Sequence, residues 1–191
     1  MAKRKDISLT DLLDSAQELI RHRGPGGFSF RDLAAEVGIS SASLHHHFPT
    51  KDDLLSAVVL RHRDAWNRRF AALAAETEDW PRRWRLLSTK FASPSLDGYL
   101  LGMLAANFGS LPPASQNETQ LLHSNLTGWL ARFVTEAKKR DELPQETDVE
   151  AMAHALLSML QGGLLLGRIG APGVMDGALR QTDEWLEHPR S

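Results

Sequence analysis

The spacing of apolar residues is the feature of this sequence that most constrains its fold. Apolar side chains recur at steps of three and four in successive blocks, which places them on one face of a helix. The first block carries them at Leu9, Leu12, Leu13, Ala16, Leu19 and Ile20. No stretch alternates apolar and polar residues as a half-buried strand would. The sequence therefore predicts an all-α protein of about nine helices.

Capping signals set the first helix boundaries. Ser29 with Asp32, and Thr50 with Asp53, have the spacing of a capping box, in which hydroxyl and carboxylate satisfy free amide groups at a helix start. Gly38 suits a tight turn, and Ser40 can cap the helix after it. The predicted helices cover about 8–23, 30–37, 41–47, 51–78, 83–92, 96–108, 121–140, 149–168 and 173–187.

Residues 29–51 predict a helix-turn-helix. Two short helices flank the turn at Gly38, and Ile39 and Leu44 are placed to pack on the helix before it. The second helix is then left protruding, as in proteins that insert a helix into the major groove of DNA. Its polar face carries small hydroxyl and imidazole side chains that can reach base edges or phosphates. These side chains are Ser40, Ser41, Ser43, His45 and His46.

The same region resembles the N-terminal signature of the TetR/AcrR family of transcriptional regulators. The matching segments are Leu12 to Ala16, Phe28-Ser29, Leu33-Ala34, Val37 to Ser40, Leu44 to Phe48 and Lys51 to Leu55. The resemblance implies a recognition helix at Ser40 to Ser43, and a phosphate contact from Lys51. It also implies DNA contacts from His45 and His46, although the family usually has tyrosine at the His45 position. An imidazole keeps the hydrogen-bond donor there but has a shorter reach.

A basic arm precedes the first helix, and a histidine run ends the third. The arm could follow phosphates or enter a minor groove, or it could be a solubilising terminus. Consecutive helical residues point about 100° apart, so His45, His46 and His47 cannot converge on one metal ion. We expect neither a metal nor a cofactor. The predicted DNA-binding set is Lys3, Arg4, Lys5, Ser29, Ser40, Ser41, Ala42, Ser43, His45, His46 and Lys51.

The family resemblance implies a C-terminal effector pocket. Aromatic and methionine residues recur there with a few polar groups, the usual composition of a ligand site, although each such residue alone is more often core. We expect the effector to be small and apolar, aromatic or otherwise neutral. The predicted lining is Trp66, Phe70, Trp84, Met103, Asn107, Phe108, His123, Trp129 and Phe133.

The segment 152–168 is apolar on more than one face, which predicts burial on more than one side. A homodimer interface accounts for this better than a monomer with one central helix. Glycines there would let a partner helix approach closely. The predicted dimer residues are Leu156, Leu160, Gly163, Leu164, Gly167, Trp185 and Leu186.

Composition excludes several other functions. The chain has 24% charged and 42% hydrophobic residues, no cysteine and a net charge of −2. Thiol redox sensing is therefore impossible, and the absence of cysteine favours a reducing compartment. No secretory signal follows the N-terminus, and the uncharged stretch 151–167 is shorter than a membrane span requires, so the expected location is cytoplasmic without membrane contact. Phosphate-binding loops and hydrolase motifs are absent.

Three functions remain open on the sequence alone. The first is a ligand-responsive, homodimeric repressor that binds an operator in double-stranded DNA, with a DNA-binding domain over 1–51 and an effector-binding and dimerisation domain over 52–191. The second is a helical small-molecule-binding or protein-interaction module, in which the helix-turn-helix is only structural. The third is a cofactor-independent enzyme that uses His123 or His154, and it would need a carboxylate partner.

Overall fold

The computed structural model describes residues 7–92, 98–170 and 173–187. Nine α-helices, one short 3-10 helix and no strand are present in these ranges. The α-helices are α1 (Leu9–Arg23), α2 (Phe30–Val37), α3 (Ser41–His47), α4 (Lys51–Glu76), α5 (Trp80–Ala92), α6 (Tyr99–Ala106), α7 (Pro113–Lys139), α8 (Val149–Gly167) and α9 (Val174–Glu187). The predicted all-α fold is confirmed.

The predicted capping boxes set the starts of α2 and α4. The Ser29 hydroxyl accepts from the Asp32 amide at 3.2 Å, and the Asp32 carboxylate accepts from the Ser29 amide at 2.7 Å. Thr50 and Asp53 form the same reciprocal pair at 3.1 and 2.9 Å. Each box satisfies amide groups that a helix start leaves without a partner. Local sequence therefore determines where these two helices begin.

Three helices between α4 and α8 differ from the prediction in their bounds. The long helix α4 ends at Glu76, close to the predicted end, but α5 begins at Trp80 instead of near residue 83, and its first turn includes Pro81, where proline is tolerated because its missing amide has no helical partner. The predicted 96–108 helix is shorter, and α6 is followed by the 3-10 helix Phe108–Ser110. The next helix, α7, begins at Pro113, well before the predicted start near residue 121.

The chain divides into two compact units. The first contains residues up to Asp64 together with Leu100–Leu122, and the second contains Ala65–Tyr99 together with the chain from His123 onward. The first unit has a leucine-rich core in which Leu12, Leu33, Leu44 and Leu54 are fully buried. The predicted domain boundary between residues 51 and 52 coincides with the start of α4 and stays a prediction.

The second unit has an aromatic core. Trp66, Trp84 and Phe91 are almost fully buried there. α8 packs against α9 and α5, and α5 also packs against α9. Large rings of this kind contribute much of the buried apolar area of a small unit.

Candidate nucleic-acid interface

A glycine turn connects α2 to α3. Gly38 adopts the left-handed conformation, with φ 76° and ψ 32°, at the C-terminal cap of α2. The amides of Gly38 and Ile39 both donate to the carbonyl oxygen of Ala34 at 3.0 Å. Glycine reaches this conformation without the steric cost of a Cβ atom. The turn lets α2 and α3 pack against each other, as the predicted helix-turn-helix requires.

One leucine anchors α3 and leaves most of its surface exposed. Leu44 has no solvent-exposed area, and Ser43 is half-buried. Every other residue of the helix is exposed, as is its cap residue Ser40. A seven-residue helix held by one buried side chain presents most of its circumference to a partner.

One of the predicted DNA-binding hydroxyls, that of Ser40, also caps α3. The Ser40 hydroxyl accepts from the Ser43 amide at 3.1 Å, and the two hydroxyl oxygens lie 3.0 Å apart. The Ser29 hydroxyl is similarly engaged at the start of α2. A hydroxyl has one donor and two acceptor positions, so these serines keep capacity for another hydrogen bond.

Neighbouring groups position His45, while His46 is exposed. The His45 ring centroid lies 4.8 Å from that of Phe30 on α2, and its Nδ1 lies 3.3 Å from the carbonyl oxygen of Pro49. A carbonyl only accepts, so Nδ1 is the donor in this contact. The His46 ring contacts His47 edge-on at 6.0 Å. Both His46 and His47 are exposed.

Lys51 has a contact inside the protein that the sequence did not reveal. Its Nζ donates to the carbonyl oxygen of Phe28 at 2.5 Å and lies 4.4 Å from the centroid of the Phe28 ring. Partial burial lowers the pKa of Lys51, and this outweighs the opposing effect of Asp32 and Asp52. A phosphate contact would require this ammonium group to leave Phe28 or to bind both groups at once. The contact therefore stays a prediction.

A basic residue missing from the predicted set lies on the helix that precedes the recognition helix. Arg31 is exposed in the first turn of α2 and forms no ion pair with any other described residue. The signal in the sequence is an arginine in the first turn of the helix that precedes the recognition helix. The basic arm Lys3, Arg4 and Lys5 lies outside the described residues.

Five of the predicted effector-binding residues are core residues of the second unit. The Trp66 ring contacts Phe70 at 5.4 Å, Phe70 stacks on Trp129 at 4.1 Å, and Trp129 stacks on Phe133 at 5.2 Å. Trp84 is fully buried in the same unit. The Phe91 ring, with its centroid 4.8 Å from that of Trp66, belongs to the same series, although Phe91 is not in the predicted set.

The other four predicted effector residues are more exposed. Met103, Asn107 and Phe108 are half-buried in the first unit, and the Asn107 amide donates to the Met103 carbonyl oxygen at 2.9 Å. His123 is exposed on α7 in the second unit. The nine residues are thus distributed over both units, and their role as one pocket lining stays a prediction.

A cleft of about 380 Å³ opens in the second unit. Trp129 and Phe133 are the only members of the predicted effector set that line it. Its other lining residues come from α4, α5 and α7. They are Ala74, Arg83, Arg132, Thr135, Glu136 and Lys139. We call this cavity the α7 cleft, since α7 supplies most of its wall.

The predicted dimer helix α8 has one buried side and one open side. Leu156 and Leu160 are buried within their own chain, at 3% and 1% exposure. A Cβ atom on Gly163 would lie 2.9 Å from the Met175 sulfur, so this glycine admits α9 of the same chain. Leu164 and Gly167 follow Leu160 by four and seven residues and so lie on its side of the helix, where Leu164 is half-buried and Gly167 is exposed. The opposite side carries Leu166, which is exposed and available to a partner. The side chains of Trp185 and Leu186 lie outside the described residues.

By length and composition alone, α8 is apolar enough to cross a membrane, contrary to the expectation that this stretch is too short. About 28% of its most apolar window is buried, and the helix packs against α5 and α9. Core helices of globular proteins have the same composition.

The two histidines considered for catalysis lie together but without acidic partners. The rings of His123 and His154 stack with their centroids 6.4 Å apart, and both residues are exposed. Neither forms a hydrogen bond or ion pair with a carboxylate of the described chain. No cluster of three or more metal-binding side chains occurs in the same ranges.

Comparisons with known proteins agree with the helix-turn-helix. Residues 12–58 match the family described as bacterial regulatory proteins, tetR family, and residues 82–182 match the tetracyclin repressor-like C-terminal domain. The HTH-type transcriptional regulator BetI of Burkholderia ambifaria is 25% identical over 193 residues, covering 96% of this chain and 94% of that protein.

Solved structures show the same fold. A TetR-family regulator from Agrobacterium tumefaciens superposes with a TM-score of 0.84 at 25% identity, covering 92% of this chain and 95% of that one. A transcriptional regulator from Saccharomonospora viridis, solved in complex with choline, superposes with a TM-score of 0.79 at 23% identity, covering 93% and 94%.

The fold and the exposed recognition helix define a helix-turn-helix transcriptional regulator. The family matches together extend over most of the sequence, and the chain belongs to the TetR family of bacterial regulatory proteins. This membership favours the first of the three functions that the sequence left open.

Proposed function

We propose that this protein is a homodimeric repressor that binds a specific operator through α3 and leaves it when a small molecule binds. The observation that carries the proposal is the exposure of α3. The buried Leu44 side chain anchors the helix, while Ser41, His45 and His46 are exposed to solvent. Small hydroxyl and imidazole side chains on such a helix can bond to base edges without steric obstruction.

The proposed DNA contacts are of two kinds, contacts with bases and contacts with phosphates. Ser43 and His46 read bases from α3, because they lie on successive turns of one helix face. Arg31 and the basic arm bind phosphates, which adds affinity that depends on salt and little on sequence. Lys51 holds the loop before α2 in place and contacts phosphate only if its bond to Phe28 is shared.

A homodimer would form through the open side of α8 together with α9. Leu166 is 49% exposed, Leu165 is half-buried next to it, and Ile169, just after the end of α8, is 79% exposed. Burial of such an apolar surface against a second copy would place two recognition helices on one face of the DNA. The operator would then be an approximate palindrome with half-sites about 34–36 Å apart.

The effector would bind to the second unit, next to Trp129 and Phe133. α4 is continuous from Lys51 to Glu76, and its Phe70 ring stacks on Trp129. A displacement of this end of α4 would therefore change the position of its beginning, which follows α3. A coupling of about 1–3 kcal/mol between the two sites would weaken operator binding roughly 5–150-fold. As a regulator of bacterial transcription, the protein would act in the cytoplasm.

A footprint on the DNA that flanks the gene for this protein tests the proposal. The expected result is protection of a palindromic segment by wild-type protein, and loss of protection on addition of cell extract that contains the effector. Protein that binds this DNA and an unrelated fragment of equal length with the same affinity would contradict sequence-specific repression.

A further inference from the structure

The α7 cleft is more positively charged than the apolar effector site predicted from the sequence. Three of its lining side chains are cationic, namely Arg83, Arg132 and Lys139, and only Glu136 is acidic. Lys139 donates to Glu136 at 2.8 Å, and this hydrogen bond lowers the pKa of the Glu136 carboxyl. These two charges therefore balance each other. Neither arginine forms an ion pair within the cleft, although the charge of Arg83 also lowers the pKa of the Glu136 carboxyl.

Arg83 is the more unusual of the two, since it is only 7% exposed. Its guanidinium group donates to the Thr77 carbonyl oxygen at 2.9 Å and to the Ala74 carbonyl oxygen at 3.3 Å, where α4 ends. It also lies 5.7 Å from the centroid of the Phe133 ring. Carbonyl groups at a helix end carry only a partial negative charge. No carboxylate of the described chain forms an ion pair with Arg83, and the Glu136 carboxylate of the same cleft interacts with its charge only at longer range, so this buried cation borders an open cavity without a direct anionic partner.

Arg132 faces the same cleft from α7. It is exposed and forms no ion pair within the described ranges. Trp129 and Phe133, on the same helix, provide stacked aromatic rings with centroids 5.2 Å apart. The cleft thus combines two arginines with an aromatic surface, and its volume of about 380 Å³ is within the range of small-molecule sites.

We propose that the α7 cleft binds an anionic effector whose carboxylate pairs with Arg83 and Arg132 and whose apolar or aromatic body lies on Trp129 and Phe133. Arginine suits this role because its planar group can donate two parallel hydrogen bonds to a carboxylate. The inference rests on the proposed function and names the ligand class of its effector site. It also replaces the neutral effector expected from the sequence, because that expectation did not include the arginines. A cation such as the choline bound by the Saccharomonospora viridis protein would be repelled here.

Three ligands that share one aromatic body test the charge preference. We would titrate the full-length protein with 2-naphthylacetate, 2-naphthylacetamide and 2-(2-naphthyl)ethylamine and measure binding by ligand-observed NMR, which detects weak ligands. The carboxylate should bind about tenfold more tightly than the amide, the difference expected for a charge-assisted hydrogen bond, and the amine should bind most weakly. Equal affinity for all three, preference for the amine, or no binding of the carboxylate would overturn the proposal.

Matched variants locate the site. Arg132→Gln should weaken binding of 2-naphthylacetate about tenfold and leave binding of the amide unchanged. Arg82→Gln is the control, because Arg82 is an exposed arginine of α5 that does not line the cleft. Arg83→Gln should have a larger effect than Arg132→Gln, but it also removes hydrogen bonds to the end of α4. The result for Arg132→Gln is therefore the one that tests the proposal. Unchanged binding of the carboxylate to Arg132→Gln would place the ligand elsewhere.

The outcome is separable from that of the proposed function. Ligand binding is measured on free protein, and operator binding is measured without ligand. Protein that binds the operator but shows no preference for the carboxylate refutes only the ligand class. Protein that prefers the carboxylate but does not bind its operator refutes only the repressor function.

Discussion

The Nζ atom of Lys51 lies 2.5 Å from the carbonyl oxygen of Phe28 and 4.4 Å from the centroid of the same residue's ring. This contact joins the first residue of α4 to the segment before α2. Phe28 is itself only 5% exposed, so its ring is buried in the core while its carbonyl oxygen accepts the bond from Lys51. Lys51 therefore stabilises the segment that precedes α2, independently of any contact that it makes with phosphate.

Substitution of this lysine should lower stability. Lys51→Gln is expected to reduce the free energy of unfolding by about 1 kcal/mol, because a hydrogen bond from a charged group is lost at a half-buried position. Urea unfolding checks this, with Lys90→Gln as the control for an exposed ion pair on α5. Unchanged stability together with a flatter salt dependence of DNA binding would mean that Lys51 acts mainly on phosphate.

The capping box of α2 should give the protein a measurable pH dependence. Hydrogen bonds from Ser29 lower the pKa of Asp32 from its ordinary value of 3.8 in the folded state. The carboxylate therefore stabilises the fold above about pH 4, and this contribution is lost as the pH falls through the lower folded value. The stability difference between wild type and Asp32→Asn should be constant near neutral pH and disappear in acid.

The measurement is urea unfolding of both proteins over a series of pH values. Glu36→Gln is the control, because it removes an exposed carboxylate of the same helix that takes no part in the cap. A difference between wild type and Asp32→Asn that does not change down to the most acidic pH would refute the charge-dependent cap.

Adjacent glycines of α8 should respond unequally to alanine. A Cβ on Gly163 would lie 2.9 Å from the Cε and Sδ atoms of Met175, the flexible end of that side chain, so Met175 has to move and Gly163→Ala should stabilise the protein less than Gly162→Ala does. A Cβ on Gly162 meets nothing within 4 Å, so Gly162→Ala should stabilise the helix by about 0.5–1 kcal/mol. Thermal unfolding of both in a Leu166→Glu background excludes effects of a dimer contact. Equal shifts for the two would contradict the packing described for α8 and α9.

A charge on the open side of α8 should separate the dimer without unfolding the chain. Leu166 is 49% exposed, so Leu166→Glu removes no core contact, but it would place a carboxylate in the proposed interface. Sedimentation equilibrium should show a dimeric wild type and a monomeric variant with unchanged helix content. Leu121→Glu, at a leucine of 41% exposure on α7, should remain dimeric. A wild type that is monomeric at micromolar concentration would contradict the homodimer.

Local signals in the sequence predicted much of the fold. The starts of α2 and α4 follow from Ser29 with Asp32 and Thr50 with Asp53, because each capping box lies within four residues. The Gly38 turn is equally local. Contacts between distant residues could not be predicted in this way. The Lys51 bond to Phe28 joins positions 23 residues apart, and it changed the role expected for that lysine.

The candidate sites show the same division. The exposed face of α3 follows from its short apolar pattern, in which Leu44 is the only anchor. The α7 cleft could not be predicted without the structure, because Arg83 and Arg132 come from different helices and no spacing in the sequence indicates that they lie close together. Burial of Arg83 at the end of α4 is a tertiary contact that a composition-based list of aromatic residues does not include.

Binding of operator DNA by recognition-helix variants tests the central claim most directly. Fluorescence anisotropy would compare wild type, His46→Ala and Ser43→Ala on the protected segment and on random DNA of the same length. The account predicts that each variant loses about 1–3 kcal/mol on the operator and almost nothing on random DNA, because these side chains read bases. Variants that bind both DNAs as the wild type does would contradict recognition through α3.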